Sequence, residues 1–323
     1  MPRQKTGEKD KSAFVTGGSG KLGRSVIERL LSHGYNVKAL VNKKERIVVL
    51  PAGVIPIVGD INDSKVLRIG CEDVDFVFHS AAIVSEYRST TDALIRTNVN
   101  GTVTLIDACR DAGVRRLLFP STIDVYGRVR NTVLDEDSKP MPSDKYGYSK
   151  LLAEEEITKS SSKVDYTIFR LATVYGDKFE AQFFKMFGAI KQNRFRLIGS
   201  GDNHLAIIHI MDLLDALLLA IENPVSIVKI YNLSDGTDYT QKFLINMAAD
   251  LLRASRPSKN INPIIVKMIA KKHNLDSDEL RFITSNRIIS IKKIREELGF
   301  SPKVDVIKAA KELVVQYSAK AQA

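Results

Sequence analysis

Six short segments in the first half of the chain are apolar at nearly every position, and longer segments of helical periodicity separate them. The six are Ala13–Thr16, Val37–Val41, Ile55–Val58, Val74–His79, Leu117–Pro120 and Tyr166–Leu171. Such continuous apolar runs are typical of strands covered on both faces, as in a parallel sheet flanked by helices. The alternation of strands and helices therefore predicts an α/β fold with a doubly wound parallel sheet.

Apolar residues recur at helical spacing between these strands and again after Leu171. In the first part the predicted helices are Leu22–Ser32, Ala93–Ala112 and Ser149–Ser160. In the second part they are Phe183–Lys191, Met211–Glu222, Gln241–Ala254, Pro263–His273 and Val304–Tyr317. The change of rhythm after Leu171 predicts a second, smaller and mainly helical lobe, some of whose segments can return to the sheet.

The composition is that of a globular protein. Of 323 residues, 44% are hydrophobic and 27% charged, which excludes a mostly disordered chain. No apolar run reaches the roughly 18 residues that a membrane span requires, and the first twelve residues lack the apolar centre of a signal peptide. The two cysteines, Cys71 and Cys109, cannot build a disulfide framework. We therefore expect a cytoplasmic protein without membrane contact.

A net charge of +10 can attract anionic partners such as nucleic acid or membranes, so its distribution along the chain is informative. From Lys259 onward there are 13 Lys and Arg against 7 Asp and Glu, so much of the excess lies at the end of the chain. These cations alternate with acids and lack interleaved aromatic residues, which favours a solvated helix surface over a nucleic-acid platform. No clustering of His, Cys or carboxylates suggests a metal site. A small-molecule substrate is the expected partner.

A glycine-rich turn follows the first predicted strand and opens the first predicted helix. Residues 16–23 read Thr-Gly-Gly-Ser-Gly-Lys-Leu-Gly, which fits the dinucleotide fingerprint from Gly18 and a wider spacing from Gly17. Glycines at this place let backbone N–H groups approach a diphosphate at the positive end of a helix. The residues expected to meet the diphosphate are Gly17, Gly20, Lys21, Leu22 and Gly23. We divide the chain into a basic tail (1–12), a Rossmann-type dinucleotide-binding domain (13–176) and a substrate-binding lobe (177–323).

The end of the second predicted strand bears on which nicotinamide cofactor is used. An acid there accepts bonds from the ribose 2′-hydroxyl of NAD, whereas basic residues suit the 2′-phosphate of NADP. This chain has Asn42 at that place, followed by Lys43 and Lys44. We therefore expect Asn42 and Lys43 to contact the adenosine ribose, with NADP preferred to NAD. An exposed charged loop with no role in binding is the alternative.

Further motifs follow the later strands. Residues 59–63 read Gly-Asp-Ile-Asn-Asp, residues 79–82 His-Ser-Ala-Ala, and residues 98–102 Asn-Val-Asn-Gly-Thr. Residues 121–127 read Ser-Thr-Ile-Asp-Val-Tyr-Gly, residues 146–150 Tyr-Gly-Tyr-Ser-Lys, and residues 170–176 Arg-Leu-Ala-Thr-Val-Tyr-Gly. Together with the glycine turn, they resemble the extended short-chain dehydrogenases/reductases (NAD-dependent epimerase/dehydratase type) over nearly the whole chain. Within that family, the chain most resembles the sterol dehydrogenases and dihydroflavonol reductases.

This resemblance implies positions for the rest of the cofactor and for catalysis. It implies that Thr122, Tyr146 and Lys150 are catalytic and that Tyr146 and Lys150 also lie at the cofactor. The implied cofactor residues beyond the glycine turn are Asp60, Ile61, Ser80, Ala81, Ala82, Asn98, Leu171 and Val174, with Asn98 helping to order the active site. Relatives of this kind commonly form homodimers through two helices, which here correspond to Thr91–Ala112 and Tyr146–Ser160.

The chemistry expected of these residues follows from their spacing. Lys150 lies one helical turn after Tyr146 on the same face. At roughly 6 Å and an effective dielectric of about 20, one positive charge favours the phenolate by about 3 kcal/mol, or some 2 pKa units. Tyr146 can then move a proton to or from a substrate oxygen that Thr122 binds. Tyr148 lacks such a cation, because Leu152 stands four residues after it.

The same residues can serve several reactions. Sugar-nucleotide enzymes that the chain resembles often carry an Arg four residues before the His of a His-x-x-Asp segment; here that position is Leu205. Dehydratases usually have Asp-Glu after the catalytic Thr, where this chain has Ile123 and Asp124. We predict an NAD(P)-dependent oxidoreductase that transfers hydride between nicotinamide and a secondary alcohol or ketone. Two alternatives stay open: a nucleotide-sugar epimerase with tightly bound NAD, and a non-catalytic NAD(P)-binding regulator.

Overall fold

Seven parallel strands form the central sheet of the computed structural model, which describes residues 11–84, 89–127, 132–266, 268 and 283–322. They are β1 (Ser12–Thr16), β2 (Asn36–Val41), β3 (Ile55–Val58), β4 (Phe76–His79), β5 (Arg116–Thr122), β7 (Tyr166–Leu171) and β12 (Lys229–Leu233). Their order is β12-β7-β5-β4-β1-β2-β3, so the chain starts in the middle and winds outward in both directions. This is the predicted Rossmann-type fold.

Helices pack on both faces of this sheet and build the second lobe. They are α1 (Lys21–Ser32), α2 (Ser64–Cys71), α3 (Thr91–Leu94), α4 (Gly101–Ala112), α5 (Lys145–Lys159), α6 (Ala181–Lys191), α7 (Ile210–Glu222), α8 (Gln241–Leu251), α9 (Lys292–Leu298) and α10 (Val306–Gln322). Helices α1, α7 and α9 supply apolar side chains to the core on one face. Helices α2, α4 and α5 do so on the other face. The apolar strands predicted from sequence are thus buried between two helical layers, except β3 at the sheet edge, where Ile55 and Val58 are exposed.

Predicted and observed helix bounds differ, most informatively in two helices of the first domain. The segment predicted as one helix, Ala93–Ala112, consists of α3, a π-helical stretch over Ile95–Asn100, and α4. The helix predicted from Ser149 begins four residues earlier, at Lys145, because the side chain of Asp144 accepts a hydrogen bond from the Gly147 amide at 2.7 Å and caps the first turn. Tyr146 therefore lies inside α5.

The second lobe has its own apolar core, built mainly from α6, α8 and α10. Short strand pairs surround it: β10 (His204–Leu205) with β13 (Tyr239–Thr240), and β9 (Leu197–Ile198) with β14 (Asn260–Ile261). Two further pairs connect it to the first domain: β8 (Thr173–Tyr175) with β11 (Ile207–His209), and β6 (Val133–Leu134) with β15 (Ile288–Ile289).

Residues 177–323 do not all lie apart from the large sheet. Strand β12 joins its edge beside β7, and α7 and α9 pack on one of its faces. Of the predicted helix Pro263–His273, residues 263–266 and 268 are helical and the others lie outside the described residues, as does most of the tail 1–12. Within the described ranges, no helix has the length and apolar character needed to cross a membrane.

Candidate active site

A cleft of about 520 Å³ opens where β1, β4, β5 and β7 end. Ligands of open parallel sheets bind at the carboxyl ends of the strands, where the strand order reverses. Many predicted site residues line this cleft: Gly17, Gly20, Lys21, Leu22, Gly23, Ser80, Ala82, Thr122, Tyr146, Lys150, Leu171 and Val174. The other lining residues were not predicted as site residues: Val84, Pro120, Ser121, Ile123, Asp124, Ala172, Thr173, Phe179, Ser285 and Arg287.

The glycine turn at one end of the cleft is too tight for side chains. Gly17 has φ of +68°, and a Cβ there would lie 2.7 Å from the amide nitrogen of Ala81. A Cβ on Gly23 would lie 2.2 Å from the Gly17 carbonyl oxygen. The first turn of α1 contains no acid, and no side chain caps it. An uncapped, acid-free helix start beside a bare backbone turn fits the diphosphate of a dinucleotide.

Thr122 ends β5 with its hydroxyl in the cleft. Its Oγ1 accepts a hydrogen bond from the Asp124 amide at 3.1 Å and donates one to the Asp124 carboxylate at 3.2 Å. Tyr146 lines the same cleft from the first turn of α5. The structure thus brings Thr122, Tyr146 and Lys150 to one cleft with the glycine turn, so a hydroxyl, a phenol and an amine line the same space.

Lys150 is almost fully buried, with 2% of its surface exposed. Its Nζ lies 3.7 Å from the centroid of the Phe119 ring, a cation–π contact. Burial lowers the pKa of Lys150 to about 7, while the carboxylate of Glu154 acts in the opposite direction. The positive charge that the sequence argument assigns to Lys150 is therefore sensitive to pH near neutrality.

A buried polar network contacts residues that line the cleft. Arg170 forms an ion pair with Glu154 at 2.8 Å, both side chains being at most 5% exposed. Ser121, next to Thr122, donates a hydrogen bond to the same carboxylate. Arg170 also donates to the hydroxyl of Tyr126 at 2.9 Å. The network joins β5, α5 and β7, the three elements that position the catalytic candidates.

His79 is a structural residue in this arrangement. The hydroxyl of Thr102 donates to the Asn98 carbonyl at 2.6 Å, so it accepts from His79 Nε2 at 2.9 Å. His79 Nδ1 then accepts from the hydroxyl of Thr16 at 2.7 Å. Burial, with the charge of Lys150, lowers the pKa of His79 to about 3. A neutral imidazole with both nitrogens engaged has no proton-transfer role here.

Asn98 orders the site without lining the cleft. It lies in the π-helical stretch with 2% of its surface exposed. Its amide pairs with both backbone groups of Ile83, at 2.8 and 2.9 Å, and donates to Ser149 Oγ at 2.9 Å. Ser149 in turn donates to the carbonyl of Tyr146 at 2.8 Å. Asn98 therefore connects the loop after β4 to the helix that carries Tyr146.

Five other residues predicted to contact cofactor also lie outside the lining. Asn42 and Lys43 are exposed after β2, and Asp60 is exposed after β3. The pKa of Asp60 is lowered by hydrogen bonds from the Asn62 backbone and side chain. Ile61 is buried against Gly101, so its side chain belongs to the core. Ala81 contributes its amide, which packs under Gly17 and donates to Thr16. The cofactor contacts assigned to these residues stay predictions.

Arg287 is the site residue that the sequence argument missed. Its side chain is 7% exposed, lines the cleft, and donates from Nη1 to Asp124 at 2.6 Å. Because the two residues are 163 positions apart, no local motif signals the pair.

Among the residues that the structure describes, no group of His, Cys, Asp and Glu is arranged to hold a metal ion.

Comparison with known proteins identifies a family, and three of the similar proteins show its range. Residues 13–234 match the model of the NAD dependent epimerase/dehydratase family. A 4-hydroxy-2-methyl-3-oxo-4-farnesyl-3,4-dihydroquinoline-1-oxide ketoreductase of Stigmatella aurantiaca is 27% identical over 90% of this chain and 92% of its own. The UDP-glucose 4-epimerase of Vibrio cholerae is 27% identical over 90% and 91%. The Bordetella bronchiseptica enzyme WbmG, solved with NAD and UDP, has a TM-score of 0.78 and 25% identity, covering 95% of each chain.

Proposed function

Because this chain belongs to the NAD dependent epimerase/dehydratase family and is an enzyme of its dehydrogenase, reductase or epimerase type, we propose that it transfers hydride between nicotinamide and a secondary alcohol or ketone. The resemblance to extended short-chain dehydrogenases/reductases predicted from sequence is thereby confirmed. The observation that carries the proposal is that Thr122, Tyr146 and Lys150 line one cleft with the glycine turn. A bound nicotinamide would supply or accept the hydride.

The residues of this chain supply the proton transfer and the binding. During ketone reduction, negative charge develops on the substrate oxygen, and Tyr146 donates a proton to it. Thr122 binds the same oxygen through its hydroxyl. When Lys150 is protonated, its charge favours the phenolate that Tyr146 becomes. In alcohol oxidation the same groups act in the reverse order.

NADP as the preferred cofactor is a further part of the proposal. It is supported by the end of β2, where Asn42 and Lys43 are exposed and the residue directly after Val41 is not an acid. NAD is the alternative, because the similar Bordetella enzyme was solved with NAD. Measuring the dissociation constants of NADPH and NADH decides between them. If NADH binds as tightly as NADPH or more tightly, the NADP preference is wrong.

A nucleotide-sugar epimerase is the second candidate, and the similarity to the Vibrio cholerae enzyme over 90% of the chain favours it. Against it, the position where sugar-nucleotide relatives often have Arg is Leu205, which is 1% exposed. A side chain buried in this way cannot hold a nucleotide phosphate. We therefore place the reductase first.

The experiment that tests the proposal begins with mass spectrometry of any cofactor released from the purified protein. Turnover is then measured with hydrophobic ketones and secondary alcohols, and with UDP-glucose and UDP-galactose. Consumption of one reduced cofactor per product supports the reductase. Interconversion of the sugars without net cofactor consumption contradicts it and supports the epimerase. Cofactor binding without turnover of any substrate leaves the regulatory binder.

A homodimer through α4 and α5 also belongs to the proposal. Val103, in the first turn of α4, is an apolar side chain that is 38% exposed on this surface, so a charge there tests the proposed contact. Light scattering after gel filtration measures the mass in solution. A dimeric wild type and a monomeric Val103→Asp variant support this surface, and a monomeric wild type contradicts it.

A further inference from the structure

Arg287 and Asp124 form an ion pair that reaches both ends of the turn after Thr122. Arg287 Nη1 donates to Asp124 Oδ1 at 2.6 Å, and Arg287 Nε donates to the Gly127 carbonyl at 2.6 Å. The side chains of Arg287 and Asp124 are 7% and 13% exposed. One guanidinium thus fixes a carboxylate near the start of this turn and a carbonyl at its end.

Asp124 bonds to Thr122 through its carboxylate, and its backbone and Cβ pack against Gly147, the residue after Tyr146. Its other oxygen, Oδ2, accepts the hydroxyl of Thr122 at 3.2 Å. Its Cβ lies 3.3 Å from the position that a Cβ on Gly147 would occupy, and Gly147 follows Tyr146. An uncompensated carboxylate here would bind the Thr122 proton more tightly and disfavour the phenolate of Tyr146.

The guanidinium comes from a segment fixed to the second lobe. Asn203 Nδ2 donates to the carbonyls of Ile283 and Ser285, at 3.1 and 2.7 Å. Gln241 Nε2 donates to the Ile283 carbonyl at 2.8 Å. Directly after Arg287, β15 pairs with β6 of the first domain. The position of Arg287 in the cleft therefore depends on contacts that the second lobe makes.

We propose that Arg287 is a positioning residue, which acts through Asp124 on the two groups that would touch the substrate oxygen. Paired with Arg287, Asp124 adds no net negative charge beside Tyr146, and its carboxylate is directed to a fixed place on Thr122. Through Arg287, the second lobe thereby contributes a positive charge to the site around Thr122 and Tyr146. This inference rests on the proposed function, since it assigns its roles relative to Thr122 and Tyr146.

The test changes two of the charged residues near Tyr146 and leaves the others as they are. The charged residues that line the cleft or adjoin Tyr146 on α5 are Lys21, Asp124, Asp144, Lys145, Lys150 and Arg287. Only the pair Asp124 and Arg287 is altered below. A change in the titration of Tyr146 then reports on that pair.

The experiment measures the pKa of Tyr146 without any substrate. Protein labelled with ¹³C at Cζ of tyrosine is titrated by NMR, and the Tyr146 signal is assigned by its loss in Tyr146→Phe. We expect Arg287→Met to raise this pKa by about one unit and Asp124→Asn to lower it by about one unit, since the remaining charge is then unpaired. The double variant should titrate within about 0.3 units of wild type. Arg256→Met, which breaks an exposed pair with Asp250, is the control that should change nothing.

The signs of these shifts decide the inference. If Asp124→Asn does not lower the pKa, or if Arg287→Met raises no pKa while remaining folded, the inference is wrong. If Arg287→Met does not fold, Asp124→Asn and the double variant still decide it. With an active substrate, Arg287→Met should reduce kcat roughly 10- to 100-fold at unchanged cofactor affinity. Failure of the proposed function is recognised separately, as a wild type that turns over no substrate.

Discussion

The ammonium group of Lys150 lies over the face of the Phe119 ring, 3.7 Å from its centroid. Phe119 is on β5, three residues before Thr122, so the strand that carries the proposed substrate-binding hydroxyl also supports the cation proposed to act on Tyr146. An aromatic face stabilises a cation less than water does, and burial lowers the pKa of Lys150 to about 7. Several measurable consequences follow from this arrangement and from the site around it.

The buried lysine should make stability depend on pH above neutrality. Lys150 titrates near 10.5 in the unfolded chain and near 7 in the folded protein. Between these values the unfolded state binds more protons, so the free energy of unfolding rises with pH; below about pH 7 both states hold the proton and the contribution is constant. Urea denaturation at pH 7 and 9 should show this free energy rising by roughly 2 kcal/mol more in wild type than in Lys150→Met. Equal pH dependence in the two proteins would contradict the lowered pKa.

Removal of the phenol hydroxyl should abolish chemistry and spare binding. Tyr146→Phe is expected to lower kcat by roughly 10²- to 10⁴-fold, because the proton donor is lost. The dissociation constant of the reduced cofactor, measured by its fluorescence, should change by no more than about twofold, since the glycine turn is untouched. Tyr148→Phe is the matched control, because Tyr148 is 51% exposed and outside the cleft lining. A Tyr146→Phe enzyme as active as wild type refutes the assignment.

A single methyl group in the glycine turn should weaken cofactor binding. In Gly23→Ala the new Cβ would meet the Gly17 carbonyl at 2.2 Å, so the turn or the start of α1 must move. We expect the dissociation constant of the cofactor to rise at least about tenfold by calorimetry, because the N–H groups of the turn lose their positions. Gly188→Ala in α6, where the nearest atom would be 3.5 Å away, should bind as wild type does. Equal affinity in Gly23→Ala and wild type would place the diphosphate elsewhere.

The ion pair behind the cleft should contribute to stability through the cost of breaking it. Glu154→Gln leaves the guanidinium of Arg170 buried without its counter-charge, and the expected loss in the free energy of unfolding is about 3 kcal/mol. Glu156→Gln, on the same helix in an exposed pair with Lys159, should change it by less than about 0.5 kcal/mol. Chemical denaturation of both variants at one pH measures the difference. Similar small losses in both would show that the Arg170 charge is solvated.

The strands of the first domain could be predicted because burial on both faces leaves a local signature. All six predicted strands are present, with bounds that differ by at most two residues at either end. Strand β12 was not predicted separately, because it lies at the sheet edge and has Lys229 and Asn232 among its five residues. The prediction that segments after residue 176 can return to the sheet does describe its place.

Other features depend on contacts that no local pattern encodes. The start of α5 was predicted too late, since Lys145–Tyr148 is polar and contains a glycine; the Asp144 cap supplies the stabilisation instead. The Arg287–Asp124 pair joins two lobes, so its members have no signal in their own neighbourhoods. By contrast, Thr122, Tyr146 and Lys150 could be proposed from the resemblance of their motifs to a known family, and the structure brings all three to one cleft.

The π-helical stretch Ile95–Asn100 has a consequence for insertions and deletions in this protein. A π turn contains about one residue more than an α turn over the same length. Deleting Val99 would let α3 and α4 merge into one regular helix, with α4 still seated on the sheet and Asn98 rotated by about 100° away from Ile83 and Ser149. The shortened protein would keep its fold but lose the hydrogen bonds by which Asn98 connects the loop after β4 to the helix that carries Tyr146.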